Sequence, residues 1–496
     1  MHLVRESEEL ADAIAAARRE ALSSFGDDTL FIERFVEHPR HIEVQVLADN
    51  SGTTVHLGER ECSLQRRHQK VIEEAPSALL DEATRVRIGQ AAVDTAKSVD
   101  YRGAGTVEFI VSADSPDEFF FMEMNTRLQV EHPVTELVTG RDLVEWQLRV
   151  AAGERLDFAQ EDVVLTGHAV EARIYAEDPE HGFLPTGGRV LSLTQPEGAG
   201  IRVDSALVEG LQVSSDYDPM LAKVIAWAPD RASALQRLSA ALDDTVTLGV
   251  TNNTEFLKLL LADADVVAGR LDTELIERRL DGLAFRPANA RVFAAAALIL
   301  HARTAPAGDG PWGDRSGWRI GEAAASTYRL ATVPGGAPVT VSLTGSNDDA
   351  LVRVGEADPV RCSIALDGGA ARLRWENATV QLRFAADADR LFLAGDGASW
   401  TIAELGFERR AADGGQTKPE LRSPMPGAVV AVFVRDGELV EAGTAVLSIE
   451  AMKMEHVLRA SERGTVSLLV EVGSQVTGDQ VVASIAPAAA ESTEEE

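Results

Sequence analysis

Three groups of residues in this chain have types and spacings that could do chemistry. Lys453 stands in the run Glu450-Ala451-Met452-Lys453-Met454-Glu455-His456. A lysine at a turn is by itself an ordinary solvated charge. Two flexible apolar side chains bracketing it in water make sense where that tip docks on another protein. The second group is Glu108 with Glu123 and Asn125. Positions 123 and 125 share one face of a strand, and with Glu108 they offer the oxygen ligands that a hard cation such as Mg²⁺ prefers. Any one of them alone reads equally as a solvent-facing strand residue. The third group is Arg127, Gln129 and the backbone of Val130, a compact donor set for a small planar anion, because a guanidinium matches carboxylate-like oxygens two at a time. Glu131 beside them is in the position of a base. Arg127 alone reads as a surface ion-pair partner worth at most about 1 kcal/mol, and the spacing leaves both readings open.

These groups need elements to hold them. The alternating segments Ala445–Ile449 and Val457–Leu458 flank Lys453 and predict a hairpin with the lysine at its tip. Around it runs an internal repeat: Gly427 to Val434, then Gly437 and Ile449, recurs as Gly464 to Val470, then Gly473 and Ile485. Two such half-sheets predict a small sandwich. Phe119 to Met122 is an apolar run that reads as a buried strand delivering Glu123 and Asn125. With helical patterns such as Glu8–Leu22 and strand patterns such as His41–Leu47 and Phe119–Met124, residues 1–285 read as α/β or α+β. A stretch rich in Gly, Pro and Asp at 303–317 precedes short alternating strands such as Pro338–Leu343 and Val380–Phe384. Residues 286–410 thus predict a helical segment, Ala288–His301, followed by an all-β unit. Ala411–Glu420, with Gly414, Gly415 and Pro419, reads as a flexible linker.

With 496 residues the chain has length for three or four domains, each with its own core. No apolar run approaches the roughly 20 residues that span a bilayer, and Met1 to Glu6 lacks the apolar core of a secretory signal. Cys62 and Cys362 stand far apart, which implies no disulfide framework and points to a reducing, cytoplasmic compartment. A net charge of −32 argues against nucleic acid or an anionic membrane as partner. The acidic end, residues 488–496, reads as a tail.

Residues 421–487 resemble a biotinyl domain of the biotin carboxyl carrier type, on Met425-Pro426-Gly427 preceding Ala451-Met452-Lys453-Met454. The resemblance implies biotin joined to Lys453 by an amide bond, put there by a biotin-protein ligase, on a long swinging arm. Lipoyl domains share that fold and also modify a hairpin lysine; the Met-Lys-Met setting favours biotin. Residues 1–285 resemble the latter part of biotin carboxylase, an ATP-grasp enzyme, on the runs Glu33–His41, Glu59–Lys70, Tyr101–Thr106, Glu123–His132 and Gly167–Ile174. That resemblance implies an adenine pocket lined by Glu33, Arg34 and Val36, with His41, Gln65 and His68 near the ribose of ATP. It implies Lys70 facing the phosphates and bicarbonate, Mg²⁺ or Mn²⁺ held by Glu108, Glu123 and Asn125, and bicarbonate bound by Arg127, Gln129 and Val130. Glu131 would take the bicarbonate proton, Lys70 and the metal would stabilise the charge transferred from ATP, and Arg173 would stabilise the enolate-like oxygen of biotin.

The middle region resembles the BT domain of α-subunits that bind a separate carboxyltransferase β-subunit, a helix held by an antiparallel β-barrel, on Pro311-Trp312, Gly317 to Gly321 and the domain order. Trp312 and Trp318 read either as interface anchors or as core tryptophans of the barrel. Together the resemblances point to the α-subunit family of biotin-dependent acyl-CoA carboxylases, with a methylcrotonyl- or propionyl-type substrate and a hetero-oligomeric assembly. The expected fold is multidomain α+β. It comprises a partial ATP-grasp domain (1–165), a biotin carboxylase C-terminal domain (166–285), a BT-like domain (286–410), a linker (411–420), a small all-β biotinyl hammerhead sandwich (421–487) and the tail (488–496). Members of the family have, ahead of the position matching Met1, a domain and a glycine-rich loop that closes over ATP. This chain contains no run of three glycines. Backbone N–H groups of such a loop cradle phosphate and exclude water. The expectations are little or no ATP-dependent activity of this chain alone, a second reading as carrier and docking protein only, and exposed apolar surface at its N-terminal end.

Overall fold

The computed structural model describes residues 2–214, 217–303, 320, 323–388, 390–406, 420–451, 454–478 and 480–487. Lys453, Trp312, Trp318, the acidic tail and all of the linker but Glu420 lie outside the described residues. The chain forms two units, Met1–Leu165 with Gly269–Arg278, and Thr166–Ala268 with Arg279–Glu496.

In the first unit the expected N-terminal helix is α1 (Leu10–Phe25), which ends at Gly26 in the left-handed conformation, φ 72°. It buries none of its residues. Phe25 is 84% exposed, and Phe31, Ile32 and Phe35 beyond it are exposed as well. There follows an antiparallel sheet of β1 (Pro39–Ala48), β2 (Thr54–Arg66), β3 (Gln69–Ala75), β4 (Gly103–Ser112) and β5 (Ser115–Asn125), in spatial order β3-β2-β1-β4-β5. Period-two alternation explains β1: Ile42, Val44 and Val46 are buried and pack with Ile88, Ala92 and Ala96. Those three lie on α2 (Glu82–Ser98), whose start is capped by Asp81 accepting from the Thr84 amide at 2.8 Å. The opposite face of β1 carries His41, Glu43 and Gln45.

β5 corrects one expectation. Read as a buried strand, it stands at the sheet edge, with Phe121 and Met122 exposed. Its phenylalanines lean back on the neighbouring strand instead: Phe119 and Phe121 meet Phe109 edge to face at 5.5 and 6.4 Å. After the sheet come α3 (His132–Thr139) and α4 (Leu143–Ala151).

The second unit begins with β6 (His168–Tyr175), paired antiparallel with Met220–Ala228, which pairs in turn with Ile201–Ser205. Two short strands, β7 (Glu177–Asp178) and β8 (Leu184–Pro185), pair with each other. Two helices follow, α5 (Arg231–Asp244) and α6 (Thr254–Leu261). Eight strands from Ser326–Thr332 to Ala398–Glu404 close into a barrel with antiparallel neighbours. The helix Ala290–Arg303 is buried continuously from Val292 to Ile299 and shares one apolar cluster with the inward residues of the barrel. A helix apolar on all sides requires such enclosure. Residues 420–487 make two four-stranded sheets around Met425, Val446, Leu447, Ile449 and Ile485, the sandwich the repeat predicts.

Candidate active site

One face of the first unit's sheet collects the charged groups. In an antiparallel pair, directly opposed residues share a face, and the register opposes Glu43 to both Arg60 and Glu108, Gln45 to Thr106, Glu123 to Glu108 and Asn125 to Thr106. Two strands further over, Lys70 lies on β3, opposite Gln65. Glu131 is the residue before α3, fixed there by the Pro133 that opens the helix.

The centre of the face is Arg60, fully buried. Its Nη1 donates to Gln45 Oε1 at 2.8 Å and Thr135 Oγ1 at 3.0 Å, and its Nη2 to Glu43 Oε2, Thr106 Oγ1 and Gln129 Oε1, each at 3.1 Å. Lys70 Nζ bridges two carboxylates, donating to Glu43 and, at 2.6 Å, to Glu131, with Glu108 Oε1 3.8 Å away. His41 Nε2 meets Glu108 Oε2 at 3.0 Å and Glu43 Oε1 at 3.4 Å. Asn125 Nδ2 donates to Glu108 at 2.7 Å and to Glu123 at 3.1 Å. The group runs from buried Glu43 and Glu131, through Glu108 and half-buried Asn125, to exposed Glu123.

These contacts set the charges. Burial drives the Glu43 carboxyl up, and the neighbouring Glu131 adds to that, against the pull of Lys70 and Arg60. Burial works to lower Lys70, but the acidic groups around it, Cys62, Glu43 and Glu131, outweigh burial and hold it protonated. Burial works to raise Glu108 as well, yet the hydrogen bond and charge of His41, with Lys70 and Gln129, bring it down to about 2. His41 is raised in return: the bond to Glu108 and the charge of Glu43 exceed its own burial.

The structure therefore brings His41, Lys70, Glu108, Glu123, Asn125, Gln129 and Glu131 into one connected group. Glu108, Glu123 and Asn125 fit a hard cation: two carboxylates and an amide stand within one hydrogen bond of each other, and a half-turn of the Asn125 amide presents its oxygen. His41 belongs to this carboxylate group through Glu43 and Glu108. Gln129 turns inward, its amide divided between Arg60 and Glu108 at 2.9 Å, because the buried guanidinium needs acceptors. Arg127 stays exposed, its Nη1 donating to the Leu128 carbonyl at 3.3 Å, and Val130 is half-buried.

The residues expected around the nucleotide are less gathered. Glu33, Arg34 and Val36 lie in a stretch without regular structure, where Arg34 pairs with Glu118 at 3.0 Å and covers the Phe120 ring. Gln65 is buried near the end of β2, and His68, exposed, has φ 65° in the tight turn to β3. Arg173 is in the second unit, buried on β6 with Nη1 3.5 Å from the Tyr175 hydroxyl. Sequence reasoning missed Glu43 and Arg60. The signal was present in His41-Ile42-Glu43-Val44-Gln45, where each polar residue recurs on the face opposite the core.

Four families match the chain in succession: "Carbamoyl-phosphate synthase L chain, ATP binding domain" over 1–159, "Biotin carboxylase C-terminal domain" over 171–278, "Methylcrotonyl-CoA carboxylase, alpha-subunit, BT domain" over 289–406 and "Biotin-requiring enzyme" over 419–485. The methylcrotonoyl-CoA carboxylase subunit alpha of Dictyostelium discoideum is 38% identical over 97% of this chain and 71% of its own length. The propionyl-CoA carboxylase alpha chain of Ruegeria pomeroyi is 39% identical over 97% of this chain and 75% of its own. The chain belongs to the α-subunits of biotin-dependent acyl-CoA carboxylases. Among solved structures, this α-subunit is similar to the biotin carboxylase domain of Hydrogenobacter thermophilus 2-oxoglutarate carboxylase in complex with MgADP and bicarbonate. The TM-score is 0.53 at 42% identity, over 58% of this chain and 63% of that one.

Proposed function

We propose that this α-subunit carboxylates biotin on Lys453 using ATP and bicarbonate at the Lys70–Glu131–Glu108 group and delivers the carboxyl to a carboxyltransferase β-subunit. The observation that carries the reading is Lys70 Nζ held between two buried carboxylates, 2.6 Å from Glu131 Oε1. Glu131, which accepts a hydrogen bond from the Lys70 ammonium, is placed to accept a proton from a bound acid. Lys70 in turn offers a fixed positive charge to phosphate or bicarbonate oxygens without reorganisation. Glu108, Glu123 and Asn125 are the residues that would hold Mg²⁺, which supplies charge neutralisation at phosphate oxygens. Arg127, exposed at the rim, presents its guanidinium to bicarbonate, and Arg173 would serve the ureido oxygen of biotin. Glu33, Arg34, Val36, Gln65 and His68 remain the proposed nucleotide contacts.

The BT-type match over 289–406 and the relatives' names favour a methylcrotonyl- or propionyl-type acyl-CoA, chosen by the partner subunit. Two buried free cysteines agree with a reducing cytoplasm, and no described helix is long and apolar enough to cross a membrane. The test is chemical. After co-expression with a biotin-protein ligase, the intact mass gains one biotin and a streptavidin blot is positive, and Lys453→Arg removes both. A wild-type chain that stays blank under those conditions overturns the reading.

A further inference from the structure

Attachment of biotin needs a lysine; the Met425-Pro426-Gly427 run that accompanies it has a separate geometry. Met425 is fully buried in the sandwich, with its carbonyl accepting from Ser423 Oγ at 2.5 Å, while Pro426 faces outward and is half-buried. Gly427 fixes where Pro426 lies, since a β-carbon there would collide with the Glu450 carbonyl and stand 3.1 Å from Ala451 Cβ. Pro426 therefore sits beside the end of the strand Ala445–Ala451, which leads into Met452 and Lys453.

At that end the sandwich meets a loop of the biotin carboxylase C-terminal domain. A β-carbon built on Gly187 would lie 3.4 Å from Pro426 Cγ, and Leu184 packs on the apolar cluster of the sandwich. The loop is braced from behind. Phe183, buried with φ 61°, stacks edge to face on Phe256 at 5.0 Å, the Thr186 amide donates to the Ala176 carbonyl at 2.9 Å, and Thr186 Oγ1 donates to the Thr251 carbonyl at 2.5 Å. A braced loop that offers one apolar side chain and one bare glycine makes a small seat, of the size that releases its occupant readily.

We propose that Leu184–Gly187 is the docking seat for the lysine-bearing end of this chain's own carrier domain, with Pro426 as the group it receives. The seat, on the biotin carboxylase C-terminal domain, holds the carrier by apolar contact and lets it go to the partner subunit. The proposal rests on the reading of residues 420–487 as a travelling carrier; biotinylation reports on that reading and cross-linking reports on the seat.

The test uses the full chain carrying Gly187→Cys with Pro426→Cys, whose β-carbons would fall near the roughly 3.5–4.5 Å separation of a disulfide. A control pairs Gly187→Cys with Glu441→Cys, in the turn that leads into the Ala445 end of that strand. Under oxidised glutathione, the first pair should close an intramolecular, dithiothreitol-reversible bond at least about tenfold faster than the control, as a docked geometry raises effective concentration. Adding Leu184→Asp should slow closure severalfold. Both double variants should still be biotinylated, which shows that the carrier is folded. Closure no faster than the control overturns the proposal. Bonds formed only between two chains overturn it too, by assigning the seat to a second copy.

Discussion

At the scale of the residue, the site is a balance of buried charge, and each partner can be removed to read its share. Arg60 has no route to water, so Arg60→Met leaves Glu43 buried beside Glu131 without the guanidinium that answers it, and with Lys70 and His41 still in place. The loss should be about 3–5 kcal/mol, as for breaking a buried ion pair, measured by urea denaturation. Lys70→Met is a different case, because Lys70 is only partly buried and is the charge proposed to meet the phosphate or bicarbonate oxygens. We expect bicarbonate-dependent ATP hydrolysis to fall at least about a hundredfold, the scale of losing one preorganised charge, measured in the presence of whatever partner chains support activity. Glu108 sets the pH response. Its carboxyl is brought from an ordinary 4.5 to about 2, so the stability it confers is present above about pH 4.5 and fades as pH falls towards 2. His41, raised from 6.5, contributes below its ordinary value, and that contribution is lost as pH rises through the raised one. Glu108→Gln should abolish the acid-side term and lower the His41 titration in the metal-free protein, read by NMR of the ring and by melting temperature across pH.

At the scale of the element, periodicity carried most of what the sequence made legible. The helix Glu8–Leu22, the strand His41–Leu47 and the repeat around Lys453 appear as α1, β1 and the two sheets of the carrier, because each is a local pattern with a local cause. Phe119 to Met122 misled because an apolar run says that side chains find cover, not on which side. At the sheet edge, Phe109 covers two of them and Met122 stays in water. The site was legible as two short runs, but not its centre: Arg60 and Glu43 meet only through the register of β1 with β2, which no local pattern states. The same dependence on register makes Gly427 an informative position. A side chain there would strike the Glu450 carbonyl and press on Ile449, in the strand that ends beside Lys453. Gly427→Val should therefore unseat that strand and abolish biotinylation. Val430→Thr, at an exposed position three residues on, should leave biotinylation intact.

At the scale of the whole molecule, the exposed and the joined surfaces make different demands. Phe25 at the end of α1 and Phe31, Ile32 and Phe35 beyond it are exposed apolar side chains, which calls for concentration-dependent association. Phe31→Ser with Phe35→Ser should lower binding of a hydrophobic dye and reduce light scattering. Within the second unit, one of the places where the barrel meets the carboxylase C-terminal domain is the turn at Asp396. Asp396, with φ 51°, turns its carbonyl to two cations: Lys258 Nζ on α6 and Arg286 Nη1 each donate to it at 3.0 Å. Asp243 pairs with Lys258 from behind, and Trp400 Nε1 donates to the Arg286 carbonyl at 2.9 Å. Gly397 follows because any side chain there would run into Lys258. Of these two bonds the Lys258 one crosses between the domains, while Arg286 holds the turn from the start of the barrel domain; an exposed bond of this kind is worth about 1 kcal/mol, which matters between domains that each have their own core. Lys258→Met with Arg286→Met, which frees the turn from both sides, should thus leave both domains folded and loosen their coupling. In calorimetry the barrel and the carboxylase domain would melt as two resolved transitions where the native chain shows them joined. If the double variant melts as the native chain does, the turn at Asp396 is not what couples them.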